Sequence, residues 1–189
     1  TRSNNAQFSG NIVWWDYNTQ VNLDGAMTAG PDVNPAGLLG QASIAVNLAP
    51  GPGNGNVYVL ASVERLSNGD PGDVMFAKSD DGGLSFGEPI RINDDLSVNN
   101  TQWFGTMSVA PNGRIDVVWL DTRDAPAFNS LLSALYYSYS LDQGETWSAN
   151  ELLSDSFDPH IGWPNQEKMG DYFDMVSDNG NAHLAWANT

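Results

Sequence analysis

Apolar residues in this chain fall in runs of four to eight, rich in Val, Ile, Tyr and Trp and bounded by Gly, Asn, Asp or Pro. Runs of that length and composition predict β-strands almost throughout. Helical periodicity is poor. The best helical stretch, 129–135, continues into ALYYSYS, which reads better as a strand. Nineteen Gly and ten Pro cut the remainder into short pieces, the pattern of a sandwich, barrel or propeller.

Internal repetition decides among these. Three stretches share one plan of apolar strand, Gly/Asn turn and second apolar strand: 43–64, 106–124 and 173–189. A fourth fragment at 9–19, SGNIVWWDYNT, matches only the turn and second strand and is expected to be an orphan strand. After each of the first two pairs comes a further hairpin with a sharper signature. Ser79-Asp80-Asp81-Gly82-Gly83-Leu84-Ser85-Phe86 aligns with Ser140-Leu141-Asp142-Gln143-Gly144-Glu145-Thr146-Trp147, both fitting S-x-D-x-G-x-[ST]-[FW]. Asp81 and Asp142 stand 142 − 81 = 61 positions apart. The unit is therefore about sixty residues and four strands, giving expected units at 43–95 and 106–153 and an incomplete one at 172–189.

Each part of the octapeptide suits a tight hairpin. The Asp carboxylate can accept from backbone N–H groups ahead of it, the Gly takes positive φ, and the hydroxyls bind leftover polar groups. Phe86 or Trp147 then closes the turn over apolar space between neighbouring sheets. In sequence these octapeptides resemble Asp-boxes, or BNR repeats, and residues 40–189 resemble part of a sialidase-type β-propeller. That resemblance implies an all-β fold of radially arranged four-stranded antiparallel blades, about three in this chain. It further implies a glycoside hydrolase lineage acting on terminal sialic acid or a related sugar, with the box hairpins opposite the active face. Ser79, Asp81, Gly83, Phe86, Ser140, Asp142, Gly144 and Trp147 are accordingly expected to be scaffold.

In a four-stranded antiparallel blade, the 1-to-2 and 3-to-4 turns leave one edge and the 2-to-3 and 4-to-1 connections leave the other. The boxes are 3-to-4 turns, so the longer connections on the opposite edge, at 64–71, 94–104, 121–130 and 155–172, are expected to ring a ligand site. A sialidase-type site uses an arginine clamp for the sugar carboxylate, a Tyr nucleophile with a Glu beside it, and an Asp acid/base. On that edge Asp121 or Asp124 would be the acid/base, Tyr172 with Glu167 the nucleophilic pair, and Arg65 and Arg123 members of the clamp, with Trp103 or Trp163 stacking on a sugar ring. Each also has a plain reading as a strand-end ion pair or a packed aromatic. Arg91 and Arg114 fall elsewhere on the units, and an Arg-Ile-Pro motif near the N-terminus, usual in the family, is absent.

The balance of 7 basic and 23 acidic residues gives a net charge of −16. A chain so acidic offers phosphate backbones no basic face, and nucleic acid is excluded as a partner. No apolar run approaches the ~18 residues that a membrane span needs. Cysteine is absent, which removes disulfides, thiolate metal sites and a Cys nucleophile. Two histidines leave no case for zinc; the acidic, Asn-rich loops could hold calcium but lack EF-hand spacing, so no cofactor is expected. The composition suits a secreted or cell-surface protein that meets carbohydrate.

At 61 residues per unit, 189/61 ≈ 3.1 units, fewer than the roughly four to eight blades of a closed propeller. The chain starts TRSNNAQFSG and is expected to be a processed or excised piece, its ring completed by the rest of a longer protein or by another copy. Three functions stay open on the sequence: a sialidase-like hydrolase, a non-catalytic propeller binding glycan or protein, and a purely architectural piece of a larger surface assembly.

Overall fold

The computed structural model describes residues 3, 10, 18–161, 169 and 172–189. All regular structure among them is β, in three antiparallel groups. The first contains β1 (Gly25–Ala26), β2 (Ser43–Val46), β3 (Val57–Arg65), β4 (Asp73–Ser79) and β5 (Ile90–Arg91). The second contains β6 (Gln102–Val109), β7 (Ile115–Asp121), β8 (Ala134–Ser140) and β9 (Glu151–Leu152), and the third is the hairpin of β10 (Phe173–Ser177) and β11 (Ala182–Trp186). β1 and β2 pair along the same edge of β3, and every later strand pairs with its predecessor in the sheet. The expected all-β, antiparallel architecture is therefore observed, in sheets of five, four and two strands that do not close into a ring among the described residues. The orphan strand at 9–19 lies mostly outside them.

The sheets stack face to face, and β7 shows why its sequence is apolar without alternation. All seven of its residues are buried. Ile115, Val117 and Trp119 join Tyr58, Leu60 and Phe76 of the first sheet, while Val118 and Leu120 point the other way and join Met175 of the third. Burial of each large side chain contributes about 1.5–3 kcal/mol. Asp116 interrupts this run, so its carboxylate takes Arg114 Nε at 2.8 Å and the Tyr137 hydroxyl at 2.6 Å. By contrast β10 and β11 are covered on one side, with Asp174, Val176, His183 and Ala185 exposed on the other.

Neighbouring sheets are also tied at both edges. Where the short turns lie, Asn56 Nδ2 donates to Gln143 Oε1 at 3.0 Å, and Arg114 Nη2 donates to the Asp178 carbonyl at 3.2 Å. At the opposite edge the Asp94 N–H donates to Asn150 Oδ1 at 2.8 Å.

Candidate functional site

The two octapeptides connect β4 to β5 and β8 to β9, on the edge that also carries the β2–β3, β6–β7 and β10–β11 turns. In the first, Ser79 Oγ donates to Asp81 Oδ1 at 2.7 Å and accepts from the Gly83 N–H at 2.8 Å. Asp81 also accepts from the Leu84 and Ser85 N–H groups at 2.8 and 2.9 Å and from Ser85 Oγ at 2.6 Å. The second repeats this: Ser140 Oγ bonds Asp142 and the Gly144 N–H, each at 2.8 Å, and Thr146 approaches Asp142 through both its N–H and its hydroxyl. Two consecutive residues take positive φ in each turn, Gly82 and Gly83 in one, Gln143 and Gly144 in the other. The Ser85 hydroxyl and amide hold the Asp81 carboxyl far below its usual range, and the Thr146 hydroxyl and amide hold Asp142 at about 2. Trp147 packs edge-on against Phe76 at 5.2 Å, between first and second sheets. Phe86 is half-buried.

The opposite edge carries the longer connections and a chain of buried polar groups between the first two sheets. Arg65 donates to Asp24 at 2.5 Å and to Asp73 at 2.6 Å. Asp73 accepts from Asn93 at 2.6 Å; Asn93 reaches Gln102 at 2.9 Å; Gln102 donates to Asp121 at 3.1 Å. Asp121 then receives Trp119 Nε1 at 2.8 Å and Arg123 Nε at 2.9 Å. Arg123 continues to Asp94 at 2.7 Å and lies 4.4 Å from the centre of the Tyr136 ring. Burial, and then the Asp124 carboxylate bonded to its hydroxyl, push the Tyr136 phenol well above its usual range.

This network changes the standing of several expected site residues. Asp121 is 1% exposed with both oxygens occupied, so it cannot reach a substrate as acid or base. Arg65 and Arg123 are on the loop edge, yet the first guanidinium is already divided between two carboxylates and the second among three. Neither presents a free fork to a sugar acid. Trp103 is 0% exposed, with Nε1 bonded to Ser133 Oγ at 3.0 Å, and a ring without accessible surface cannot stack on a ligand. Asp124 is exposed at this edge, bonded to the Tyr136 hydroxyl. Tyr172 is 87% exposed and precedes β10 on the third hairpin. Glu167 and Trp163 lie outside the described residues.

Among the depressions at or near the loop edge, two are lined mainly by polar groups. One, of about 300 Å³, lies among the loop-side halves of β2, β6 and β10, with Ser43, Thr106 and Asp174 on its wall. Here β6 carries a bulge between Trp103 and Thr106, and Phe104 sits at φ 53°, in the left-handed region that a bulky side chain avoids. The other is a cleft of about 700 Å³ bounded by the 28–32 segment and the three connections that follow β3, β5 and β7. Asp32 and Glu64 line it together with Asn99, Asn100, Thr101 and Ser130.

The 28–32 wall belongs to a strap that the sequence did not announce. Gly30 N–H to Gly37 O at 2.7 Å and Leu39 N–H to Thr28 O at 3.0 Å close it, and Val33 and Leu39 insert into the core beside Trp103. Among the described residues, no cluster of three or more His, Asp or Glu is placed to hold a metal. No helix long and apolar enough to cross a membrane occurs among them.

No family model and no curated protein matches the chain. Among solved structures it is similar to the Hadza microbial sialidase Hz136, at 22% identity and a TM-score of 0.39, over 56% of this chain and 22% of that one. The match thus spans less than a quarter of that protein's length.

Proposed function

We infer that the chain is a sialidase-like propeller segment, scaffolded by Asp-box turns, whose loop edge binds carbohydrate. The observation that carries this is the contrast in polar groups between its edges. At the turns, carboxylates are consumed by their own backbone, whereas the loop edge holds a 700 Å³ cleft lined by amides, hydroxyls and carboxylates. Convergent amide, hydroxyl and carboxylate groups in an open cleft suit a polyhydroxylated ligand, each sugar hydroxyl being both donor and acceptor. Secretion or surface display fits this use, and another copy or the remainder of a longer chain would complete the ring.

A second reading, hydrolysis of terminal sialic acid or a related sugar, is favoured by the exposure of Asp124 and Tyr172. Asp124 would serve as acid/base and Tyr172, with Glu167, as nucleophile. Among the described residues it lacks an available arginine clamp. The test applies the intact chain to a glycan array and to a panel of fluorogenic glycosides. Binding without turnover is the expected result. Turnover lost in both Asp124→Asn and Tyr172→Phe would establish the second reading instead, and neither binding nor turnover would overturn both.

A further inference from the structure

We propose that the cleft between the strap and the β3–β4, β5–β6 and β7–β8 connections selects amine-bearing saccharides and rejects acidic ones. This rests on the carbohydrate reading above and names the ligand class.

The first support is the state of the cations. Of seven Lys and Arg, Arg2 and Lys168 lie outside the described residues, leaving 7 − 2 = 5. Each of these is paired with a carboxylate of this chain: Arg65 with Asp24 and Asp73, Lys78 with Glu145, Arg91 with Asp73, Arg114 with Asp116, and Arg123 with Asp94 and Asp121. Recognition of a sugar carboxylate calls for a guanidinium with its fork open. Opening Arg114 or Arg123 would strand a buried Asp, since Asp116 and Asp121 are each at most 1% exposed, and opening Arg65 would leave the buried Asp73 with Arg91 alone at 3.6 Å.

The second support is the cleft itself. No Lys, Arg or His is among its described lining residues. Its two carboxylates, Asp32 and Glu64, are exposed and make no hydrogen bond or ion pair to a described residue through their side chains. Both are held on fixed backbone. Glu64 is in register with Ala26 on β1, and the Asp32 carbonyl accepts from His160 Nε2 at 2.8 Å, which ties the strap to the β9–β10 connection. Ligand ammonium groups at these carboxylates would replace their water with charge-assisted hydrogen bonds, while Asn99, Asn100 and Ser130 offer partners for ring hydroxyls. The net charge of −16 adds a field that attracts such a ligand and repels an anionic one.

The test is calorimetric titration of the intact chain, at low salt and slightly acidic pH, with three probes: a glucosamine hexamer, its fully N-acetylated counterpart, and 3′-sialyllactose. The amine hexamer is expected to bind about tenfold more tightly than the neutral one, and sialyllactose more weakly than either. In the double variant Asp32→Asn, Glu64→Gln, verified as folded by circular dichroism, that advantage should disappear while neutral binding stays within about twofold. Sialyllactose binding as tightly as the amine hexamer, or an amine preference unchanged in the double variant, would overturn the charge selection and leave carbohydrate binding standing. If none of the three binds, the carbohydrate reading falls and this one with it.

Discussion

Acidic side chains at the two edges of these sheets do opposite work. At the turn edge, Asp81 and Asp142 face their own hairpins and are satisfied within five residues of chain. At the loop edge, Asp73 and Asp121 hold guanidinium groups drawn from other strands and loops, and Asp32 and Glu64 hold nothing from the described chain. A carboxylate bound to its local backbone shapes the chain and is lost to chemistry. One left facing solvent on rigid backbone is available to a ligand.

The sharpest way to break this comparison is Arg123→Ala. It leaves Asp121 buried without its counter-charge and is expected to cost about 3–5 kcal/mol of stability in urea unfolding. A loss under about 1 kcal/mol would mean that the guanidinium is not structural and restore it as a ligand group.

The turn edge is sharpened by its two glycines. At Gly144 the φ is +86° and an added Cβ would come within 2.5 Å of the Phe76 ring, whereas at Gly83 the φ is +89° with nothing closer than 3.8 Å. Gly144→Ala should cost about 2–4 kcal/mol, from strain plus overpacking, and Gly83→Ala about 1 kcal/mol from strain alone. Equal losses in thermal or urea unfolding would show that the second turn does not wedge the sheets apart from its own geometry.

The smallest effect concerns Asp70, in the β3–β4 connection. Burial, opposed by the Gly72 N–H, raises its carboxyl from 3.8 to about 6. Asp73 and Asp95 push the same way and Arg91 pulls against them. The folded chain therefore keeps a proton that the unfolded chain gives up, and stability from this group is present below pH 3.8, declines as pH rises and is gone above about 6. Asp81 and Asp142 run the other way, with stability lost only as pH falls through the strongly acidic range. Urea midpoints between pH 5 and 7 should fall by the equivalent of about 1 kcal/mol in the parent and stay flat in Asp70→Asn. An identical slope in both would assign the effect to another group.

What the sequence made legible follows the same division. The octapeptides were readable because every partner of Asp81 lies between Ser79 and Ser85, so the motif carries its own explanation. With them came the four-stranded unit and the distinction between edges. The loop-edge network was not readable. Asn93 meets Asp73 across 20 positions and Gln102 meets Asp121 across 19, and no local pattern encodes such pairs. Trp103 was misplaced for a related reason. It stands beside a connection and reads as exposed, but Val33 and Leu39 of the strap cover it, and the strap's Gly- and Pro-rich text looks like plain linker. Asp32 was missed with the strap that carries it.

The ties at both ends of the first two sheets, Asn56 to Gln143 at one and Asp94 to Asn150 at the other, have a mechanical outcome. Two stacked plates pinned along opposite borders cannot hinge about either one, so prying them apart demands rupture at both borders at once. Amide deuteration should accordingly find β3, β4, β7 and β8 exchanging as a single block. A guest arriving in the cleft between their connections meets walls whose spacing is set before it comes.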